Sequence, residues 1–111
     1  MKDGKSAILD ILTQCATACE RCFDSCLREN DISMFAECIR LDKECAQVCR
    51  LAASLIASGS AYAAEVVDIC SDICAGCAGE CEKHDHEHCR ICAVACRQCE
   101  EACQNFAPSS S

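Results

Sequence analysis

The segment Cys15-Ala-Thr-Ala-Cys-Glu-Arg-Cys-Phe-Asp-Ser-Cys26 places four thiols at steps of four, three and four residues. Those steps average close to the ~3.6 residues of a helical turn, so the four side chains share one stripe of an α-helix. The pattern recurs. Cysteines fall in four groups: Cys15, Cys19, Cys22 and Cys26; Cys38, Cys45 and Cys49; Cys70, Cys74, Cys77 and Cys81; Cys89, Cys92, Cys96, Cys99 and Cys103. Each group keeps helical spacing, so a chain with sixteen sulfurs is constrained to carry them on four helical stripes.

The breaks lie between the groups. Arg28-Glu-Asn-Asp31 follows the first, Ser58-Gly-Ser60 the second and Lys83-His-Asp-His86 the third. Gly59 suits a helix terminator and Ser60 the N-cap after it; Asp31 or Ser33 suits the start of the second helix and Asp85 that of the fourth. Pro108 and the serines after it end the last helix. The spacing predicts helices over roughly 6–28, 32–57, 61–83 and 86–106. Short connections make successive helices antiparallel neighbours, so the expected fold is all-α, an up-down-up-down four-helix bundle with a cysteine-lined core. At 111 residues the chain is expected to form one domain over 1–107, with a short disordered tail at 108–111.

Continuing each stripe past its cysteines distinguishes the two ends. The first runs back to Leu12 and Ile8, the second forward to Ala52 and Ile56, the third back to Val67 and Ala63, and the fourth forward to Phe106. In an antiparallel bundle these all meet at one end, which predicts a hydrophobic floor beneath a thiol-lined barrel. At the opposite end the third stripe reaches His84 and the fourth begins with His88 and Cys89.

Cysteine at this density in a short secreted chain would suggest a disulfide scaffold. Such scaffolds are loop-rich, whereas this chain has only four Gly and one Pro. Its first residues carry an apolar run broken by Asp10, with no small-residue cleavage site, and nothing approaches the ~20 apolar residues of a membrane span. The expectation is therefore a cytoplasmic protein whose thiols stay reduced, with no membrane partner. A net charge of −8 with scattered basic residues gives no expectation of nucleic acid.

Cysteine packs as a small hydrophobe, but a core built of such small side chains is underfilled unless something occupies it. Seven pairs have the form Cys-x-x-x-Cys: 15/19, 22/26, 45/49, 70/74, 77/81, 92/96 and 99/103. Residues four apart on a helix have Cβ atoms ~5–6 Å apart, too far for the ~3.5–4.5 Å of a disulfide. With metal–sulfur bonds near ~2.3 Å, an ion lying between two sulfurs wants them ~4.5 Å apart, which suits a two-coordinate soft ion. Cu(I) accepts two or three thiolates. Zinc closes tetrahedral sites of four, and the second helix interrupts its ladder by placing Leu41 and Asp42 where a fourth cysteine is due.

Charge points the same way. One Cu(I) on two thiolates leaves a net negative charge in a nearly dry core, whereas thiolates shared between ions approach one metal per cysteine and cancel it. All sixteen cysteines are thus candidate ligands, with a capacity above the about eight ions of unshared two-sulfur sites. A zinc or mixed-metal buffer of metallothionein type is the alternative, and a thiol redox sensor a lesser one, since a sensor needs only two or three cysteines. No Ser/His/Asp grouping, carboxylate pair or Gly-rich phosphate loop is present, so no enzyme activity is expected.

The run Cys74-Ala-Gly-Cys-Ala-Gly-Glu-Cys-Glu-Lys-His-Asp-His-Glu-His-Cys89, then Arg90-Ile-Cys-Ala-Val-Ala-Cys-Arg-Gln-Cys-Glu-Glu-Ala-Cys103, resembles the bacterial copper storage proteins. The Cys-Arg-Leu-Ala-Ala run at 49–53 extends the likeness over nearly the whole chain. The resemblance implies a four-helix bundle holding many Cu(I) ions along its axis, chiefly on Cys-x-x-x-Cys pairs, and assembling into homotetramers. It implies the cytosolic branch of the family, which sequesters copper against toxicity or for later supply, with a copper chaperone as a candidate partner. Leu41 and Asp42 depart from the pattern at one mid-bundle site, and Cys38 and Cys89 need partners on other helices.

Three polar features remain. His84 and His88, on the inward stripes, either belong to a solvated turn or receive copper at the mouth; His86 is expected to point outward. Met1 and Met34 are not expected to be ligands, although thioethers suit Cu(I) and Met34 lies near the mouth, where it could assist entry. Asp42 is either an acceptor beside the thiols or an edge residue facing water.

Overall fold

A computed structural model describes residues 4–106. Four helices follow one another: α1 (Gly4–Leu27), α2 (Ala36–Ala57), α3 (Ala63–Cys81) and α4 (Glu87–Gln104), with a short 3₁₀ turn at Ile32–Phe35 before α2. Each helix packs on its two neighbours in a closed ring, α1 on α2, α2 on α3, α3 on α4 and α4 on α1, while the diagonal pairs stay further apart. This is the expected antiparallel bundle, 51 Å along its longest dimension. The expected tail at 108–111 lies outside the described residues.

The stripes explain the packing. At the floor, Leu12 and Ala52 are wholly buried, and Ile8, Ile56, Ala63 and Val67 nearly so, with Phe106 packed against them. Above them every one of the sixteen cysteines is buried. Small side chains on all four helices let the backbones approach closely around the axis. Surface ion pairs cross between neighbours, Arg50 to Glu20 at 2.8 Å and Arg97 to Glu82 at 2.8 Å, and their exposure limits each to a small contribution.

The boundaries differ from expectation where loop chemistry intervenes. Residues 32–35 form a 3₁₀ turn rather than the first turn of α2, because Ser33 donates to the Asp31 side chain at 2.6 Å and Asp31 makes no capping bond to the helix. Asp85 does not cap α4 either: its carbonyl and carboxylate accept from Arg90 at 2.6 and 3.3 Å, and His86 takes the capping position. Gly59 does end α2, in the left-handed conformation at φ +67° that side chains disfavour. Ser60 Oγ then accepts from the Tyr62 backbone at 3.1 Å, closing the turn into α3.

A thiol-lined candidate metal centre

Helical spacing alone brings i and i+4 sulfurs together: Cys22 and Cys26, Cys70 and Cys74, and Cys92 and Cys96 each stand 3.9 Å apart. Bundle packing then joins the stripes at the same range. Across helices, Cys45 lies 3.6 Å from Cys74, Cys49 3.7 Å from Cys70, Cys19 3.7 Å from both Cys92 and Cys96, and Cys15 3.8 Å from Cys96. The two cysteines without an i+4 partner find neighbours in this way. Cys38 is 3.4 Å from Cys81 and 3.9 Å from Cys22, and Cys89 is 4.0 Å from Cys22. All sixteen thiols are free.

The sulfurs form overlapping quartets. Cys15, Cys49, Cys74 and Cys99, one from each helix, lie within 4.8 Å of one another. So do Cys15, Cys19, Cys45 and Cys96, then Cys19, Cys77, Cys92 and Cys96, then Cys22, Cys26, Cys38 and Cys89. Four-sulfur groups spanning several helices therefore exist, contrary to the expectation that the break in α2 hinders them. Three of them share no sulfur, but the Cys15, Cys19, Cys45 and Cys96 group bridges two of these, sharing Cys15 with one and Cys19 and Cys96 with the other. Ions needing four private ligands that fill those three must leave the bridging group empty; ions content with shared thiolates need not.

Asp42 is the position at which sequence left two choices open, and it is fully buried among sulfurs. Its Oδ1 accepts from the thiols of Cys92 at 3.2 Å and Cys77 at 3.3 Å, while Cys81 lies 3.9 Å away and Cys38 3.8 Å from Oδ2. With Cys22, Cys81 and Cys92 it completes a four-donor group. Burial first, then the neighbouring Cys92 and Cys38, push its carboxyl up to about 9, so at neutral pH it holds its proton. The signal was present in the spacing: 38, 42, 45 and 49 keep the four-three-four rhythm, with the carboxylate in a cysteine's place.

At the mouth the histidines part company. His88 Nδ1 lies 3.5 Å from the sulfurs of Cys22 and Cys89 and 3.9 Å from Cys26. Its Nε2 meets Glu29 at 2.9 Å. His84 instead bonds Glu80 at 3.2 Å and stacks on Phe35 with ring centroids 4.8 Å apart. His86 is only partly outward, since it sets its ring edge-on to Phe35 and its Nδ1 is buried without a hydrogen-bond partner among the described residues. Met34 is half exposed on the 3₁₀ turn. Burial holds the Cys26 and Cys89 thiols above their ordinary range, Cys89 at about 12, so these sulfurs are protonated until a cation displaces the proton. Glu29 and Phe35 carried no spacing signal, because both lie in the connection between α1 and α2.

The family model described as "Csp: Copper storage protein" matches residues 1–108. A "cysteine-rich protein YhjQ" of Bacillus subtilis strain 168 is 41% identical over 107 residues, covering 96% of this chain and 99% of that one. The structure described as Cu(I)-bound copper storage protein BsCsp3 superposes with a TM-score of 0.91 at 41% identity, covering 95% of this chain and 99% of that one. A cytosolic copper storage protein of Streptomyces lividans, with five coppers, superposes with a TM-score of 0.87 at 39% identity, covering 91% of this chain and 89% of that one. The same Streptomyces protein is also known loaded with ten copper equivalents. A four-helix bundle whose stripes of sulfur converge on one axis, matched by a family model over nearly its full length, places this chain in the copper storage protein family.

Proposed function

We propose that this protein stores many Cu(I) ions on the thiolates of its bundle core, approaching one ion per cysteine, and that it works as a store and not as an enzyme. The observation that carries the reading is the sharing of sulfurs between quartets, since shared thiolates are what a multi-ion Cu(I) cluster uses and what separate zinc sites cannot. Each ion displaces thiol protons, and at one Cu(I) per thiolate the filled core is close to neutral, so capacity is not limited by accumulated charge. The ligands in this reading are Cys15, Cys19, Cys22, Cys26, Cys38, Cys45, Cys49, Cys70, Cys74, Cys77, Cys81, Cys89, Cys92, Cys96, Cys99 and Cys103, with Asp42 as a neutral acceptor beside them and His88 at the mouth. His84 serves as a packing partner of Phe35 and not as a donor to the core. The Cu(I)-bound state of the Bacillus relative supports the choice of metal.

The store operates in the cytoplasm, against copper toxicity or for later supply, as a homotetramer that exchanges metal with a copper chaperone. The cytosolic description of the Streptomyces relative supports the compartment. No helix among the described residues is long and apolar enough to cross a membrane. Anaerobic titration of the reduced protein against a Cu(I) chelator of known affinity, with Zn(II) in parallel, tests the reading. Copper uptake well beyond about eight ions is expected. Saturation at about four zinc ions with no tight copper uptake would replace it with the zinc-buffer alternative.

A further inference from the structure

We propose that Glu29 is the positioning residue of the mouth: its carboxylate fixes the His88 ring so that Nδ1 is offered as a bare nitrogen donor to the first Cu(I), beside Cys22, Cys26 and Cys89. The inference rests on the copper-storage reading and assigns a role to a residue outside the sulfur ladder.

A carboxylate has only acceptors, so the 2.9 Å contact between Glu29 Oε2 and His88 Nε2 places the ring proton on Nε2. A neutral imidazole carries one such proton, which leaves a lone pair on Nδ1. That nitrogen faces the three sulfurs at 3.5, 3.5 and 3.9 Å, and those sulfurs with Cys38 make up the quartet nearest the mouth. The opposite tautomer would aim an N–H at the place where a cation must settle.

The backbone holds Glu29 where this requires it. It stands two residues past the end of α1, and its N–H bonds the Cys26 carbonyl at 3.2 Å, which ties the carboxylate to the same turn that carries a ligand sulfur. Its second oxygen lies 3.8 Å from His86 Nε2, so the same carboxylate faces two of the three rings while bonding only His88. His84, held by Glu80 and Phe35, has a separate brace that turns it elsewhere. A carboxylate behind a ligating imidazole fixes its tautomer and raises its basicity, and losing that partner typically weakens metal binding by ~10–100-fold.

Two measurements test the assignment. In the reduced, copper-free protein, ¹⁵N-resolved NMR of the His88 ring is expected to show the proton on Nε2 alone, and Glu29→Ala to show a mixture of tautomers. By chelator competition, Glu29→Ala is expected to weaken the first Cu(I) about tenfold with total capacity and thermal midpoint unchanged. Glu29→Gln, which keeps an acceptor, is expected to restore most of the affinity, and Glu29→Ala in a His88→Ala background to add nothing. A wild-type ring protonated on Nδ1 or on both nitrogens overturns the proposal, as does an unchanged first-ion affinity in Glu29→Ala. Loss of capacity in step with first-ion affinity would mark Glu29 as a structural residue and overturn it as well. Failure of the wild-type protein to take up Cu(I) would sink the storage reading instead, and the tautomer measurement distinguishes the two failures.

Discussion

The Asp42 carboxyl lies 3.2 Å from the Cys92 sulfur, with its side chain entirely removed from solvent. A carboxyl among thiols, with no cationic side chain among its hydrogen-bond partners, resides there most cheaply as the neutral acid. A neutral Asp42 adds no charge of its own to the copper-free core, and each protonated thiol around it can release a proton as a ligand forms.

The stability of the copper-free protein is expected to fall as pH rises, and Asp42 is the reason. Its carboxyl titrates near 3.8 when unfolded and at about 9 when folded, so between those values folding takes up a proton that the unfolded chain lacks. The penalty is absent below pH 4, grows across the window and is complete above pH 9. Asp42→Asn removes it while keeping a carbonyl acceptor for the thiols. Urea unfolding of the reduced protein at pH 8 is expected to show Asp42→Asn more stable than wild type, with the gap closing toward pH 4. Parallel stability curves from pH 4 to 9 would contradict the assignment.

Asp42→Cys completes the four-three-four stripe of α2 at 38, 42, 45 and 49. The new sulfur, one bond from Cβ, would stand near the present carboxyl carbon, whose Oδ1 now meets Cys77 and Cys92. Copper capacity is expected to rise by about one ion, since a bridging thiolate adds about one metal in a shared cluster. The count comes from chelator competition, and a capacity equal to that of the wild type would show that the carboxylate already serves as a ligand in the cysteine's place.

Much of the architecture was legible because one periodicity carried it. The cysteine rhythm gave the helices, their inward faces and, by extension to Ile8, Leu12, Ile56 and Val67, the end at which the floor lies. Two kinds of feature escaped. Cap positions depend on competing local bonds: Ser33 engages Asp31 and Arg90 engages Asp85, so neither acid caps a helix. Inter-helix register is set by packing, so the short Cys38–Cys81 approach, the pairing of Glu29 with His88 and the stacking of Phe35 on His84 join residues 43, 59 and 49 positions apart with no local signature.

The floor is expected to carry stability and the barrel capacity. Leu12 is wholly buried among Ile8, Ile56 and Val67, and Leu12→Ala should destabilise the copper-free protein by about 2–5 kcal/mol through lost burial and a residual cavity. Copper capacity should be unchanged, because no sulfur is displaced. Binding many ions to the folded state alone should raise both thermal midpoints, with the loaded variant still below loaded wild type. Chelator-monitored titration and thermal unfolding with and without copper check both halves, and a loss of more than one or two ions would show that floor and barrel are not separable.

Phe35 is expected to govern how fast copper crosses the mouth. The residue is 1% exposed, stacked on His84 at 4.8 Å, edge-on to His86 at 4.9 Å and 6.0 Å from His88, so one ring packs against all three mouth imidazoles, including the one that borders the nearest sulfurs. The 3₁₀ turn that carries it leads directly into α2, whose Ala36 backbone N–H bonds the Ser33 carbonyl. Phe35→Ala should speed Cu(I) uptake and removal several-fold at unchanged capacity, at a stability cost of about 3 kcal/mol. Phe35→Leu, which keeps volume but not the ring stack, separates the plug from the aromatic contact. Stopped-flow mixing with a Cu(I)–chelator complex reads the rate. If neither variant changes it, metal must arrive by another route, and the groove between α1 and α4, where Thr17, Ala18 and Ser25 border Cys22 and His88, is a candidate opening.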